Sequence, residues 1–253
     1  MKNKINKVAW VTGASSGIGE AICYELSKKG YDLILTSRNT EKLKKVSKKL
    51  KTNSFIAKAD VSNSLEVKAA SETFLKKFDK IDLCILNAGI YESVDAKKIN
   101  SKIFLDHIMI NYMGVVNCLE NIIPDMIKKK SGKILIISSA AGIRGLPKAA
   151  AYGPSKSAIN NLAQSIRFDL EPKGIIVKII NLWFVLTKIS PIDEHQLPGV
   201  ISPEIAAQKI IKNIDSKKFE IVIPNFFMQR LLILSKFIPE EWAFKIIKRF
   251  TGY

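Results

Sequence analysis

Residues 7–19 read KVAWVTGASSGIG, an apolar and β-branched run that breaks into glycines at 13, 17 and 19. The run at 7–12 predicts a short buried strand, and 17–29 repeats apolar residues at helical spacing. Glycine lets the backbone turn tightly and lets a diphosphate approach it closely. The N-terminus of the helix that follows supplies N–H donors and the positive end of its dipole. A glycine-rich turn by itself fits any strand–helix junction. In the first strand–helix unit of a chain, with the strand before and the helix after, it predicts a site for a dinucleotide.

The same alternation continues along the chain. Further strands are predicted at 32–37, 54–60, 82–87, 133–139, 175–181 and 219–224, with helices at 40–51, 64–78, 101–130, 152–171 and 203–214. The strands are nearly continuous in apolar character, as expected where helices cover both faces. Strict β–α alternation predicts an α/β fold with a single doubly wound parallel sheet of about seven strands. The 253 residues show no internal repeat or linker, so one domain is expected over 1–225. Residues 226–253 carry apolar positions at helical spacing among Lys and Arg, which predicts an amphipathic helical extension of that domain. The tail is expected to pack on its own domain or a sister subunit, with a membrane surface as the competing partner.

The formal net charge of +17 raises the question of an anionic partner. Only five of the 40 basic residues are arginine, the side chain favoured for reading bases, and the lysines are spread along the whole chain. This argues against nucleic acid and leaves anionic small molecules, acyl carriers or membrane surfaces. Cys23, Cys84 and Cys118 are odd in number and widely spaced, as expected of buried thiols in a reducing compartment. His107 and His195 form no metal-ligand spacing, and no metal is expected. The basic N-terminus runs directly into a strand, which predicts a cytoplasmic protein.

In a doubly wound sheet, ligands bind beyond the carboxyl ends of the strands. The second predicted strand ends in Ser37 and Arg38, where an acidic side chain would hold a free ribose 2′-hydroxyl. Arginine matches a 2′-phosphate instead, so NADP(H) is expected in preference to NAD(H). The third strand is predicted to end at Asp60, the fourth at Asn87-Ala88-Gly89 and the fifth at Ser138-Ser139. In AAAYGPSKSA (149–158), Tyr152 and Lys156 are one helical turn apart on one face, with Pro154 in the first turn where proline is tolerated.

TGASSGIG, Asp60, Asn87-Ala88-Gly89, Asn111 in INYMG, Ser139, Tyr152 and Lys156 resemble, in order, the signatures of the short-chain dehydrogenase/reductase family. The resemblance covers essentially the whole chain and implies a Rossmann-like fold, with Ser139, Tyr152, Lys156 and Asn111 as the catalytic tetrad. It implies that Lys156 also grips the nicotinamide ribose and that Asn111 anchors a proton-relaying water. It further implies cofactor contacts from Gly13, Ser15, Ser16, Gly17, Ile18 and Gly19, from Ser37, Arg38, Asp60 and Val61, from Asn87, Ala88 and Gly89, from Tyr152 and Lys156, and from Val185 and Thr187. A homodimer or homotetramer is implied as well. The chemistry agrees with the residue types. A phenol near pKa ~10 is a poor proton donor at neutrality, and a neighbouring ammonium and a helix N-terminus are expected to lower it.

The expected function is NADPH-dependent reduction of a ketone or aldehyde on an apolar substrate. The alternatives are an alcohol-oxidising dehydrogenase and a cofactor-binding scaffold with impaired turnover. The scaffold reading arises from NLWFVLT (181–187), where the family shows Asn-Pro-Gly-x-Val-x-Thr. Leu182 and Trp183 replace proline and glycine. The turn must therefore take another path or carry strain, and the Trp183 side chain is expected to turn away from the nicotinamide or to line its pocket. The following stretch, 188–202, is the family's substrate-covering segment and is apolar with few charges.

Overall fold

The structure, a computed structural model, describes residues 6–187, 199–224 and 237–251. Seven strands form one parallel sheet: β1 (Val8–Thr12), β2 (Asp32–Thr36), β3 (Ser54–Ile56), β4 (Leu83–Leu86), β5 (Gly132–Ser139), β6 (Ile175–Leu182) and β7 (Glu220–Ile223). Their order is β3-β2-β1-β4-β5-β6-β7. The chain runs outward one way from β1 through β3, then returns to β4 on the other side. The strand order therefore reverses between β1 and β4, and ligands of such sheets bind above that point.

Burial on both faces follows from the alternation of side chains along each strand. Ala9, Val11, Leu33 and Leu35 point to one core with α1 (Gly17–Lys28), α2 (Thr40–Ser47) and α7 (Pro203–Lys212). Val8, Trp10, Ile34 and Ile136 point to the other, with α3 (Ser64–Lys77), α5 (Gly114–Lys129) and α6 (Tyr152–Leu170). Each fully buried Leu, Ile or Val contributes about 1.5–3 kcal/mol. Trp10 also meets its polar need, since its indole N–H donates to Thr36 Oγ1 at 2.8 Å. The three cysteines are free and buried, and burial pushes each thiol up.

Three predicted elements differ, the first being α2, which ends at Ser47, four residues short of 51. The edge strand β3 stops at Ile56, four residues short of Asp60. Asp60 instead starts a turn into α3, its carboxylate accepting from the Ser62 amide and hydroxyl at 3.0 and 2.7 Å. The helix expected over 101–130 is α4 (Ser101–His107), a wider π-type turn (Ile108–Met113) and α5. Such widened turns often accompany functional sites, and this one carries Asn111.

The C-terminal helix α8 (Glu240–Thr251) begins with an ion pair between Glu240 and Arg144, and it buries Ala243. Trp242 and Phe244 stay exposed. Residues 225–236 of the tail lie outside the described residues. Among the described residues, no helix is long and apolar enough to cross a membrane.

Candidate active site

A cleft of about 1290 Å³ lies above the carboxyl ends of the central strands. The residues expected to meet a cofactor come together there: Gly13, Ser15, Ser16, Gly17 and Ile18 after β1, and Ser37 and Arg38 after β2. Asp60 and Val61, Asn87 through Gly89, Ser139, Tyr152, Lys156, Val185 and Thr187 also line it. Gly19 and Asn111 do not; they support its wall.

The phosphate end is built by close backbone approach. Gly13 has φ +67, and a Cβ there would stand 2.8 Å from Asn87 Nδ2. A Cβ on Gly19 would collide with the Gly13 carbonyl oxygen. Thr12, which sequence reasoning passed over, fixes the neighbouring turn: its Oγ1 accepts from the Asn87 and Ala88 amides at 3.0 and 3.1 Å. A polar residue closing an otherwise apolar strand was the available signal. Helices α2, α3, α4 and α7 each have a side chain capping their first amides, whereas α1 has none. Uncapped amides at a glycine-lined helix N-terminus suit a diphosphate. Arg38 is largely exposed and 3.7 Å from Asp60 Oδ2, a pairing of little energetic weight at the surface. Lys42, Lys45 and Lys49 of the α2 region, also unforeseen, line the same end of the cleft. These residues fit a phosphorylated dinucleotide.

The other end holds the proton-transfer groups. Tyr152 opens α6, and its phenol is hydrogen-bonded with Ser139. Ser139 Oγ accepts from the Ala141 amide at 3.2 Å. Lys156 lies one turn along, only 4% exposed, with Nζ donating to the Ile137 carbonyl at 3.1 Å and 5.6 Å from the Tyr152 ring centroid. Asn111 Nδ2 donates to Ser155 Oγ at 3.0 Å, and that hydroxyl donates to the Tyr152 carbonyl at 2.7 Å. The four expected catalytic residues are thus neighbours, with Asn111 linked to Tyr152 through Ser155 and Lys156 tethered to β5 beside them.

One expectation requires correction. The Tyr152 phenol is not brought toward neutrality by the protein alone: burial pushes it up to about 12, the Ser139 hydrogen bond lowers it, and Tyr91 raises it. The ammonium meant to lower it is itself desolvated, and burial takes Lys156 down to about 8.

The departure at 181–187 resolves without left-handed backbone. β6 runs through Leu182, paired with Ser139 on one side and Ile223 on the other, and the Trp183 amide donates to Ile223 O at 2.8 Å. Among described non-glycine residues only Lys130 and Lys148 have positive φ, so Trp183 carries no such strain. The strand is simply prolonged where Pro-Gly would turn it. Trp183 lines the cleft beside Phe184, and its buried indole N–H has no hydrogen-bond partner among the described residues. Residues 188–198, expected to cover the substrate, lie outside the described residues.

Fold and cleft define a dinucleotide-binding protein of the doubly wound type. A family model described as short chain dehydrogenase matches residues 7–196. Dehydrogenase/reductase SDR family member 7 of Homo sapiens is 33% identical over 243 residues, covering 93% of this chain and 69% of that protein. A 3-oxoacyl-acyl-carrier-protein reductase of Staphylococcus aureus is 31% identical over 216 residues, covering 84% and 88%. Among solved structures, an alcohol dehydrogenase of Thermococcus sibiricus complexed with 5-hydroxy-NADP superposes with a TM-score of 0.77 at 25% identity, covering 87% and 99%. NADP-bound ElxO superposes at 0.79 with 24% identity, covering 87% and 97%, and shares the fold. The chain belongs to the short-chain dehydrogenase/reductase family and is an NAD(P)-dependent enzyme.

The Lys156 value gives a pH dependence with a definite sign. Burial disfavours the ammonium, so its charge is present below about pH 8 and lost above it, whereas Tyr152 keeps its proton throughout that range. kcat/KM for the nicotinamide cofactor reports the free enzyme, and it should fall as pH rises through about 8. Lys156→Arg, which keeps the charge, should move that fall to higher pH. A flat profile between about pH 6 and about pH 10 would contradict this assignment.

Proposed function

We propose that the enzyme reduces a ketone or aldehyde on an apolar substrate, with NADPH as its preferred cofactor. The observation that carries this reading is the placement of Tyr152, hydrogen-bonded with Ser139 and backed by buried Lys156, between two unlike ends of one cleft. One end is glycine-rich and cationic. The other is walled by Ile90, Tyr91, Leu146, Pro147, Trp183 and Phe184, which suits an apolar group. The S. aureus relative is named for reducing a 3-oxoacyl group, and the T. sibiricus neighbour holds an NADP derivative. The first supports carbonyl reduction, and the second supports alcohol chemistry with a phosphorylated cofactor.

When bound, the dihydronicotinamide supplies the hydride that no side chain can. Ser139 holds the substrate's carbonyl oxygen and stabilises the charge that develops on it. Tyr152 gives its proton to that oxygen as the carbonyl carbon is reduced, and the Lys156 ammonium steadies the resulting phenolate. Burial, which raises the phenol in the free protein, keeps it protonated and ready to donate. Lys156 would also reach a ribose hydroxyl, and Arg38 with Lys42 would meet a 2′-phosphate. Exposed Leu105 and Met109 on one helical face and Phe168 on α6 support a homo-oligomer.

Tyr152→Phe should lower kcat roughly 10²–10⁴-fold, the usual worth of a positioned proton donor, while calorimetry finds NADPH affinity little changed. Near-normal turnover in that variant would remove Tyr152 from the mechanism. Arg38→Ala should weaken NADPH binding roughly ten- to a hundredfold, from a charge-assisted contact of about 1.5–3 kcal/mol, and leave NADH binding nearly unaffected. An unchanged ratio of the two affinities would make Arg38 a surface residue with no part in cofactor choice.

A further inference from the structure

Two buried side chains, one helical turn apart, pin the loop that follows β4. Asn111 Oδ1 accepts from the Ile90 amide at 2.7 Å, and Nδ2 donates to the Ile90 carbonyl at 3.0 Å. His107, wholly buried at the end of α4, accepts from the Glu92 amide through Nε2 at 3.1 Å. Its Nδ1 is 2.7 Å from the Ile103 carbonyl oxygen. A carbonyl only accepts, so Nδ1 carries the proton and Nε2 is bare. The ring is thereby neutral, and each nitrogen is committed to backbone.

The residue between these two fixed points is Tyr91. Its ring lines the cleft and stands edge-on to Tyr152, with centroids 5.2 Å apart and planes at 87°. His107 also meets the Tyr152 ring edge-on, at 6.3 Å and 79°. Tyr91 cannot swing aside as a unit with its backbone unless the hydrogen bonds at Ile90 or Glu92 are broken. A carbonyl group that reaches the Tyr152 hydroxyl must therefore lie against a ring whose backbone is held on both sides.

We infer that Tyr91 determines substrate specificity, setting an upper limit on the bulk of the group attached to the carbonyl, and that His107 is the positioning residue that holds it there. The inference rests on the carbonyl-reducing reading of this cleft. A buried histidine bonded only to backbone is ordinarily a packing residue; here the backbone it holds carries a wall of the cleft.

The test uses the full chain with NADPH and two ketones, a small methyl ketone and a bulky aryl ketone. Tyr91→Ala should raise the bulky-to-small ratio of kcat/KM by about tenfold or more, mainly through KM for the bulky ketone. NADPH affinity should stay within about twofold, well below the discrimination a pocket contact provides. Tyr91→Phe keeps the ring and should keep the wild-type ratio. His107→Leu should shift the ratio in the same direction as Tyr91→Ala although Tyr91 is intact, and should speed hydrogen exchange at the Glu92 amide. His107→Gln, whose side-chain oxygen can accept from that amide, should restore part of both. An unchanged ratio in a Tyr91→Ala protein with wild-type Tm would overturn the inference. Unaltered exchange at Glu92 in His107→Leu would overturn the role of His107. If the wild-type protein reduced no ketone at all, the proposed function would fall. The wall would then be decided by calorimetric binding of the same two ketones, with the same shift in ratio expected and an unchanged ratio again overturning it.

Discussion

An ammonium group held out of water governs the arrangement of this site. Lys156 is 4% exposed and donates to the Ile137 carbonyl of β5. That bond is one of several that lock α6 against β5 and the short turn after it (Ala140–Gly142): Ser138 Oγ donates to the Lys156 carbonyl at 3.3 Å, and Ser157 Oγ donates to the Gly142 carbonyl at 2.8 Å. Packing there is close enough that a Cβ on Gly142 would stand 2.7 Å from the Lys156 carbonyl carbon. Because α6 begins at Tyr152, fixing Lys156 against β5 also fixes the phenol beside Ser139. Burial costs the lysine part of its affinity for a proton. It also removes the water that would otherwise screen the ammonium from the phenol one turn away.

The cleft divides chemically along its length. Arg38, Lys42, Lys45 and Lys49 line the α2 side as a cationic stripe: Lys42 and Lys45 are three apart on one face of α2, Arg38 lies just before the helix and Lys49 just after it. Aromatic and aliphatic side chains wall the opposite end. Much of the net charge of +17 lies elsewhere on the surface and does not bear on the reaction. The stripe does bear on it, since it places positive charge where a phosphorylated cofactor would carry negative charge. The uncapped N-terminus of α1, at that same glycine-rich end, supplies amides in place of side-chain cations.

What was legible in the sequence was local. The positive φ of Gly13 and Gly17 and the close approach of Gly19 to the Gly13 carbonyl belong to one strand–turn–helix unit, and the Tyr152–Lys156 spacing is a property of a single helix turn. Both could be read from neighbouring residues. The edge strand β3 was overextended because 54–60 keeps apolar content after its pairing with β2 has ended. The widened turn at Ile108–Met113 leaves no compositional mark. Tyr91 and His107 matter through partners 61 and 15 residues away, at Tyr152 and Glu92, contacts that only the folded chain creates. The Tyr152 proton affinity was misjudged for a related reason. Spacing reports that an ammonium is near, whereas the size of the desolvation opposing it depends on everything packed around the phenol. At Trp183, the loss of Pro-Gly was plain, but its outcome was set by β7, whose Ile223 carbonyl accepts the Trp183 amide and draws the strand onward.

The central claim is that this cleft joins a nicotinamide and a carbonyl and delivers hydride to the carbonyl carbon. It is tested most directly by following the label from NADPH deuterated at the reactive ring carbon during turnover of an apolar ketone. The account predicts deuterium bonded to the carbinol carbon of the product, with one alcohol formed for each NADPH oxidised. Alcohol without deuterium at that carbon, with NADPH deuterated on either face of the ring, or NADPH consumption without alcohol, would contradict it.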